Sequence, residues 1–198
     1  MNKTLLTIIM ILCIAQVLHS QQTRLGIDSV VSKIELPNSY GQIIDITADV
    51  DKGLCIIFTN HQCEYAKLYE NRIIEISKRY NEQGIKVVAI ESKIESFEGS
   101  TQSLAEYLES GNLPYQYVID IDNSLSTRFG AQSSPHAFLL SKVGNQFVLK
   151  YAGSIDNNSR KPERASQKYL ISAIEAILSN KTIDKPRTKA IGCSIDKG

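Results

Sequence analysis

The chain has 198 residues, of which 42% are hydrophobic, and its 22 lysines and arginines almost balance its 21 acidic residues. This length and composition are typical of one globular domain with a single core. The formal net charge of +1 creates no long-range field that would attract nucleic acid or anionic lipid. We therefore expect neither nucleic acid nor a membrane as a partner of the processed protein.

Residues 1–20 have the layout of a secretory signal peptide. Lys3 precedes an apolar run, and the small residue Ser20 offers a cleavage position. The run is shorter than the roughly 20 residues that span a bilayer, which argues against a membrane anchor. We predict export to the periplasm or the extracellular space. After the signal peptide we predict a loose leader at 21–33, a domain at 34–180 and a C-terminal tail at 181–198.

The first half of the domain predicts an N-terminal hairpin and a strand-helix unit. Short strands at 34–36 and 43–46 flank a turn. The continuous apolar run at 54–58 predicts a strand buried on both faces, as in a parallel sheet. From Cys63 the hydrophobic period lengthens to three or four residues, which predicts an amphipathic helix that ends near Gly84.

The second half predicts further alternation of strands and helices, and then a hairpin. The predicted elements are a strand at 85–90, a helix at 101–110, a strand at 115–121, a helical turn capped by Asn123 and ending at Phe129, and strands at 137–140 and 147–151. Gly144-Asn145 predicts the hairpin turn, and Pro162 predicts the start of a final helix. The tail after Lys181 has few apolar residues and is predicted to be irregular. This order indicates an α/β fold.

Removal of the signal peptide leaves three cysteines, Cys55, Cys63 and Cys193. An odd number in an exported protein means one pair and a free thiol, or no pair at all. Cys55 lies within the apolar run and is predicted to be a small core residue.

Two motifs resemble a known family. The sequence Phe-Thr-Asn-His-Gln-Cys-Glu-Tyr at 58–65 is similar to the Phe-Thr-Cys-Asn-His-Cys-Pro-Tyr of peroxiredoxin-like redoxins of the alkyl hydroperoxide reductase/TSA type. The Gly-Cys-Ser-Ile at 192–195 matches a motif near the C-terminus of that group. The resemblance covers roughly 34–198. It implies a thioredoxin-like fold: a central mixed sheet flanked by helices, with an N-terminal hairpin and an inserted helix-strand segment.

The resemblance also implies a thiol-dependent oxidoreductase without a cofactor. Cys63 at the helix start is the expected reactive thiol, because a helix N-terminus lowers the pKa of a thiol. Cys193 is the candidate resolving thiol. Thr59, Ser134 and Pro135, the last resembling the cis-proline of this fold, are expected to contact the substrate, which is a peroxide or a protein thiol or disulfide.

The departures from the family motif leave an alternative open. Asn60 stands where the group has the first cysteine of Cys-x-x-Cys and cannot attack a disulfide, and Glu64 replaces a proline. The alternative is a non-catalytic thioredoxin-fold binding module in which a Cys63–Cys193 disulfide is structural or absent. His61 and His136 suggest a copper site as a third reading, but too few credible ligands accompany them, and we predict no metal. The substrate, the reducing partner and the oligomeric state stay open.

Overall fold

The computed structural model describes residues 24–93 and 103–196. The strands of this part of the chain are β1 (Val30–Val31), β2 (Glu35–Pro37), β3 (Ile43–Asp45), β4 (Gly53–Thr59), β5 (Ile85–Ser92), β6 (Gln116–Asp120), β7 (Ser133–Ser134), β8 (His136–Val143), β9 (Gln146–Gly153) and β10 (Cys193–Ser194). The α-helices are α1 (Glu64–Asn81), α2 (Leu104–Gly111), α3 (Ser124–Phe129) and α4 (Tyr169–Leu178). The predicted signal peptide lies outside the described residues.

A six-stranded mixed sheet forms the centre of the fold, with the strand order β1-β9-β8-β4-β5-β6. β4, β5 and β6 run parallel, while β8, β9 and β1 add antiparallel strands on the other side of β4. The connection from β4 through α1 to β5 is the predicted βαβ unit. The predicted N-terminal hairpin is confirmed as the antiparallel pair of β2 and β3, and the predicted later hairpin as the pair of β8 and β9.

The central strand β4 separates two hydrophobic cores. All seven of its residues are buried, as the continuous apolar run predicts. Its alternate side chains point to opposite faces, so Leu54, Ile56 and Phe58 join one core, while Cys55 and Ile57 join the other. The second core is covered by α1 and α4 through a set of residues at helical spacing, which are Tyr69, Ile73, Ile76, Tyr80, Leu170, Ala173 and Ile174. The amphipathic helix predicted from Cys63 is therefore confirmed.

The N-terminal segment adds a strand to the central sheet that the sequence does not predict. Part of the predicted loose leader forms the edge strand β1, which pairs with β9 in the register Val30 with Val148 and Val31 with Phe147. Val31 is fully buried in the first core. Burial of the Val31 side chain helps to hold β1 against the sheet.

Two helix boundaries differ from the prediction. Pro162 opens a short 3₁₀ helix, Pro162–Arg164, and α4 begins only at Tyr169. Proline is favourable in the first turn of a helix because its missing N–H is not needed there, so the start signal belongs to the 3₁₀ turn. α2 begins after Ser103, whose hydroxyl accepts a hydrogen bond from the backbone N–H of Glu106. Residues 101 and 102 of the predicted helix lie outside the described part of the chain.

The C-terminal tail returns along the sheet. Residues 186–188 form two backbone hydrogen bonds with Ala152 of β9. The N–H of Thr188 donates to the oxygen of Ala152, and the N–H of Ala152 donates to the oxygen of Pro186. Beyond this point β10 pairs antiparallel with β7. The tail is irregular over most of its length, as predicted, but it is held at defined positions and ends beside the start of α1.

Candidate functional site

A disulfide joins Cys63 and Cys193 at the start of α1. The Sγ–Sγ distance is 2.04 Å and the Cα–Cα distance is 6.0 Å, and the bond spans 130 residues of sequence. Cys63 is the N-cap residue of α1 and is only 1% exposed, whereas Cys193 in β10 is partly exposed. The bond therefore fastens the tail to the helix start.

Cys55 is the free cysteine of the described chain, and it lies in the core on β4. Complete burial disfavours its thiolate and raises the pKa of the Cys55 thiol to about 12. Such a thiol is inert near neutral pH, as the sequence predicts. Among the cysteines of the described residues, Cys63 and Cys193 are therefore the candidates for thiol chemistry.

The peptide bond before Pro135 is cis, and the strand that precedes it pairs with the tail. Cys193 lies opposite Ser134, and Ser194 lies opposite Ser133. The backbone of Ser134, which the sequence analysis expects to receive an extended thiol partner, is thus occupied by the protein's own cysteine-bearing strand. The structure brings together four of the five predicted site residues here.

The tail approaches β7 so closely that only glycine fits before Cys193. A Cβ atom added to Gly192 would lie 1.9 Å from the carbonyl oxygen of Ser134, which is backbone and cannot rotate away. The Cys63 Sγ lies 3.2 Å from the same oxygen. In the disulfide this sulfur carries no proton, so the approach is a packing contact, and a reduced Cys63 thiol could donate a hydrogen bond there.

Ile195 anchors the tail two residues beyond the disulfide. Its side chain is 1% exposed and belongs to the first core, and its backbone N–H donates to the oxygen of Gln132 at 3.2 Å. Burial of an isoleucine side chain contributes about 1.5–3 kcal/mol relative to an exposed one. Ile191, on the other side of Cys193, is 60% exposed, so Ile195 supplies the apolar anchor next to the disulfide.

The side chain of Asn123, the N-cap residue of α3, holds the tail at Asp196. Its amide nitrogen donates to the carbonyl oxygen of Asp196 at 2.8 Å, and its amide oxygen accepts from the backbone N–H of Lys93 at 3.0 Å. Asn123 occupies the N-cap position of α3, as predicted, but its side chain makes no capping hydrogen bond. The buried Asp120 carboxylate accepts from the N–H groups of Leu125 and Ser126 instead. A charged acceptor is the stronger partner for these N–H groups. Asn123 is left to connect the tail to β5.

Thr59 is the last residue of β4, and Asn60 follows it. Both are close to Cys63 in sequence, but their contacts are with other parts of the fold. Thr59, the fifth predicted site residue, is buried and pairs with Glu91 of β5. The Asn60 amide nitrogen donates to the oxygen of Ser92 at 2.8 Å, and its amide oxygen accepts from the N–H of Gln62 at 2.9 Å. Asn60 therefore holds the loop in shape at the position where a second cysteine would act.

A buried polar cluster that the sequence analysis missed lies behind the loop. The Glu91 carboxylate accepts from the backbone N–H of His61 at 3.1 Å and from the Tyr117 hydroxyl, and its other oxygen lies 2.7 Å from His61 Nδ1. Burial and the Glu91 carboxylate raise the pKa of Tyr117 well above its usual value. The sequence holds one signal for it: Glu91 is a charged residue that directly follows the apolar run of the predicted strand at 85–90, and the structure places it inside β5.

His136 is buried next to Pro135 in its neutral form. Its Nδ1 accepts a hydrogen bond from the backbone N–H of Gln132 at 3.2 Å, and its ring lies 4.5 Å from that of Phe138. Burial, with a smaller repulsion from Arg187, lowers the pKa of His136 to about 4. No group of three or more His, Cys, Asp or Glu side chains that could hold a metal ion occurs within 24–93 or 103–196.

The buried His136 predicts a loss of stability at acid pH. The unfolded chain binds its proton near pH 6.5 and the folded chain only near pH 4, so the free energy of unfolding falls as the pH decreases between these values. The contribution is roughly 3 kcal/mol. His136→Asn keeps an oxygen acceptor near the position of Nδ1 for the Gln132 N–H, and we expect its unfolding free energy to depend less steeply on pH in this window. Parallel profiles for the two proteins in urea titrations would show that His136 is not the responsible group.

The fold and this disulfide site define a thioredoxin-fold redoxin. The chain belongs to the AhpC/TSA family, whose pattern matches residues 27–156. The match ends before the Gly-Cys-Ser-Ile motif, which stays a resemblance. No curated protein matches the sequence.

Solved structures show the same fold at low sequence identity. A hypothetical protein from Sinorhizobium meliloti 1021 is similar with a TM-score of 0.72 at 21% identity, over 89% of this chain and 98% of that chain. An uncharacterized conserved protein from Geobacillus kaustophilus gives 0.74 at 18% identity, over 87% and 93% of the two chains. Peroxidoxin BcpB from Mycobacterium tuberculosis gives 0.58 at 12% identity, over 80% and 100%.

Proposed function

We propose that the protein is an exported thiol-dependent oxidoreductase that cycles between the Cys63–Cys193 disulfide and two thiols. One observation carries the proposal: the disulfide joins the helix-start cysteine to a tail cysteine that lies opposite Ser134, beside the cis-proline. Membership of the AhpC/TSA family supports it. The proposed partner is a peroxide or a protein thiol or disulfide.

Both cysteines are needed for either partner. With a dithiol partner, the disulfide accepts two electrons by thiolate exchange and the partner leaves oxidised. With a peroxide, one thiolate is oxidised to a sulfenic acid, and the second thiol condenses with it to re-form the disulfide and release water. Asn60 supplies no thiol to either reaction, so Cys193 takes the part that a neighbouring cysteine would play.

The second candidate is a binding module in which the disulfide only fastens the tail. The anchoring of the tail by Ile195 and Asn123 favours this reading, since these contacts hold it in place independently of redox chemistry. The burial of Cys63 favours it as well. The two candidates differ in one property, which is whether the disulfide opens in the folded protein.

Differential alkylation followed by mass determination tests this property. We expect a dithiol such as dithiothreitol to open the disulfide without denaturant and hydrogen peroxide to restore it, while Cys55 stays unalkylated throughout. The Cys55 thiol is the internal control, because its alkylation would reveal unfolding. A disulfide that opens only in denaturant would identify the protein as a binding module.

Export is a separate part of the proposal. No helix within the described ranges is long and apolar enough to cross a membrane. The layout of residues 1–20 supports cleavage near Ser20. The intact mass of the protein isolated from its source cells measures this directly, and retention of the first 20 residues would contradict it.

A further inference from the structure

The two sulfurs of the disulfide differ in their access to a partner. Cys63 is 1% exposed, and its Sγ packs against the carbonyl oxygen of Ser134 at 3.2 Å. Cys193 is partly exposed, and the next residue, Ser194, is exposed. The tail pairs with β7 along one edge only. An incoming thiol therefore reaches the disulfide from the Cys193 side.

Charge at Cys63 does not decide the direction of attack. The N-terminus of the 18-residue helix α1 favours a Cys63 thiolate and so makes it a good leaving group. The Ser134 carbonyl oxygen opposes this effect, because it places partial negative charge 3.2 Å from the sulfur. The carboxylate of the next residue, Glu64, is exposed and paired with Lys67, so it adds little to either side. With these influences opposed, access determines which sulfur is attacked.

We propose that Cys193 is the sulfur that forms the mixed disulfide with a partner protein, and that Cys63 is the thiol released when a partner dithiol reduces the bond. In the reverse direction, with a partner disulfide, Cys63 is the thiol that resolves the mixed disulfide. The inference rests on the proposed oxidoreductase function. It reverses the order of roles expected from the sequence, in which Cys63 attacks and Cys193 resolves. The partner class is a protein dithiol, or in the reverse direction a protein disulfide, that is presented to the exposed side of β10.

The exchange balances without any further reactant. A partner thiolate attacks the Cys193 Sγ, the bond to Cys63 breaks, and its electron pair leaves with the Cys63 sulfur, which takes up a proton. The second thiolate of the partner then attacks the partner sulfur of the mixed disulfide. The partner becomes a disulfide, and Cys193 leaves as a thiolate. Two electrons have passed from the partner dithiol to the protein.

A hydrogen-bond acceptor for the reduced Cys63 thiol is already present in the structure. Its Sγ already lies within hydrogen-bond distance of the Ser134 carbonyl oxygen, so a thiol can donate to that oxygen without movement of the backbone. The tail also keeps other contacts when the disulfide is open, through Ile195 and Asp196. Cys193 can therefore carry a partner while it stays near Cys63.

A short reaction with a monothiol distinguishes the two orders. The oxidised full chain is mixed with a peptide that contains one cysteine, and released thiols are trapped with iodoacetamide before a second exchange. Chymotryptic cleavage after Phe58 separates Cys55 from Cys63 for mass mapping. The Cys55 peptide serves as the control: it must stay unalkylated, which shows that the sample remained folded during the reaction.

We expect the peptide on Cys193 and the alkyl group on Cys63, in about tenfold excess or more over the opposite arrangement, because attack follows access. Adducts on Cys63, or equal amounts on both, would overturn the assignment and leave the proposed function standing. A disulfide that stays closed to the peptide and to dithiothreitol in the folded protein would overturn the proposed function and the assignment with it.

Discussion

Cys193→Ser is expected to lower the free energy of unfolding of the oxidised protein by about 2–5 kcal/mol. The Cys63–Cys193 bond closes a loop across 130 residues of sequence, and closing so long a loop removes much of the conformational freedom of the unfolded chain. Cys193 is the better position for this test because it is partly exposed, so a serine hydroxyl there remains hydrated. Guanidinium unfolding of the oxidised wild type and the variant measures the difference.

Reduction of the wild type provides the matched control. With the disulfide opened by dithiothreitol, the wild type should unfold at the same denaturant concentration as Cys193→Ser, because both chains then lack the cross-link. Equal stability of the oxidised and reduced wild type would contradict the prediction. It would mean that strain in the folded protein offsets the gain from loop closure.

The sequence predicts those parts of the fold that repeat a pattern over many residues. β4 and α1 were found from a continuous apolar run and a helical period, and both are confirmed. β1 and β10 have two residues each, which is too short for any period to be recognised. Their pairing depends on contacts with β9 and β7 that are distant in sequence, and a single sequence carries no signal for such contacts.

In the candidate site, too, some residues were predicted from the sequence and others were not. The sequence predicts four of the residues that meet at the disulfide, because they belong to motifs with a known chemistry: Cys63, Cys193, Ser134 and Pro135. The contacts that hold them in place were not predicted, since the Asn123 side chain was expected to cap a helix and Glu91 was not singled out. Their roles come from hydrogen bonds to Asp196 and His61, partners that only the folded chain brings near.

The docking of the tail on the domain affects how easily the Cys63–Cys193 disulfide is reduced. Backbone pairing with β7 involves only Cys193 and Ser194, and a two-residue strand is not stable alone. Burial of Ile195 in the first core therefore contributes more to the free energy of tail docking than the pairing with β7 does. If docking of the tail supports the disulfide, then weakening Ile195 must change the redox equilibrium and not only the stability of the fold.

Ile195→Ala is therefore expected to make the Cys63–Cys193 disulfide easier to reduce. Truncating a buried isoleucine lowers the free energy of unfolding by about 2–5 kcal/mol. The part of this loss that weakens docking of the tail makes the disulfide less stable relative to the two thiols. If 2–4 kcal/mol is lost, the reduction potential rises by roughly 40–90 mV, because 30 mV corresponds to about 1.4 kcal/mol in this two-electron reaction. Equilibration with a series of dithiothreitol buffers, followed by alkylation and mass determination, measures the potential.

Ile191→Ala is the control, because it makes the same chemical change in the same tail at a side chain that is 60% exposed. Its potential should stay within about 10 mV of the wild type, since an exposed position has little packing to lose. Equal shifts in both variants would show that the effect does not come from the Ile195 pocket. No shift in either would mean that the disulfide and the pairing with β7 hold Cys193 without help from the core, and the tail would then be fixed by its covalent bond.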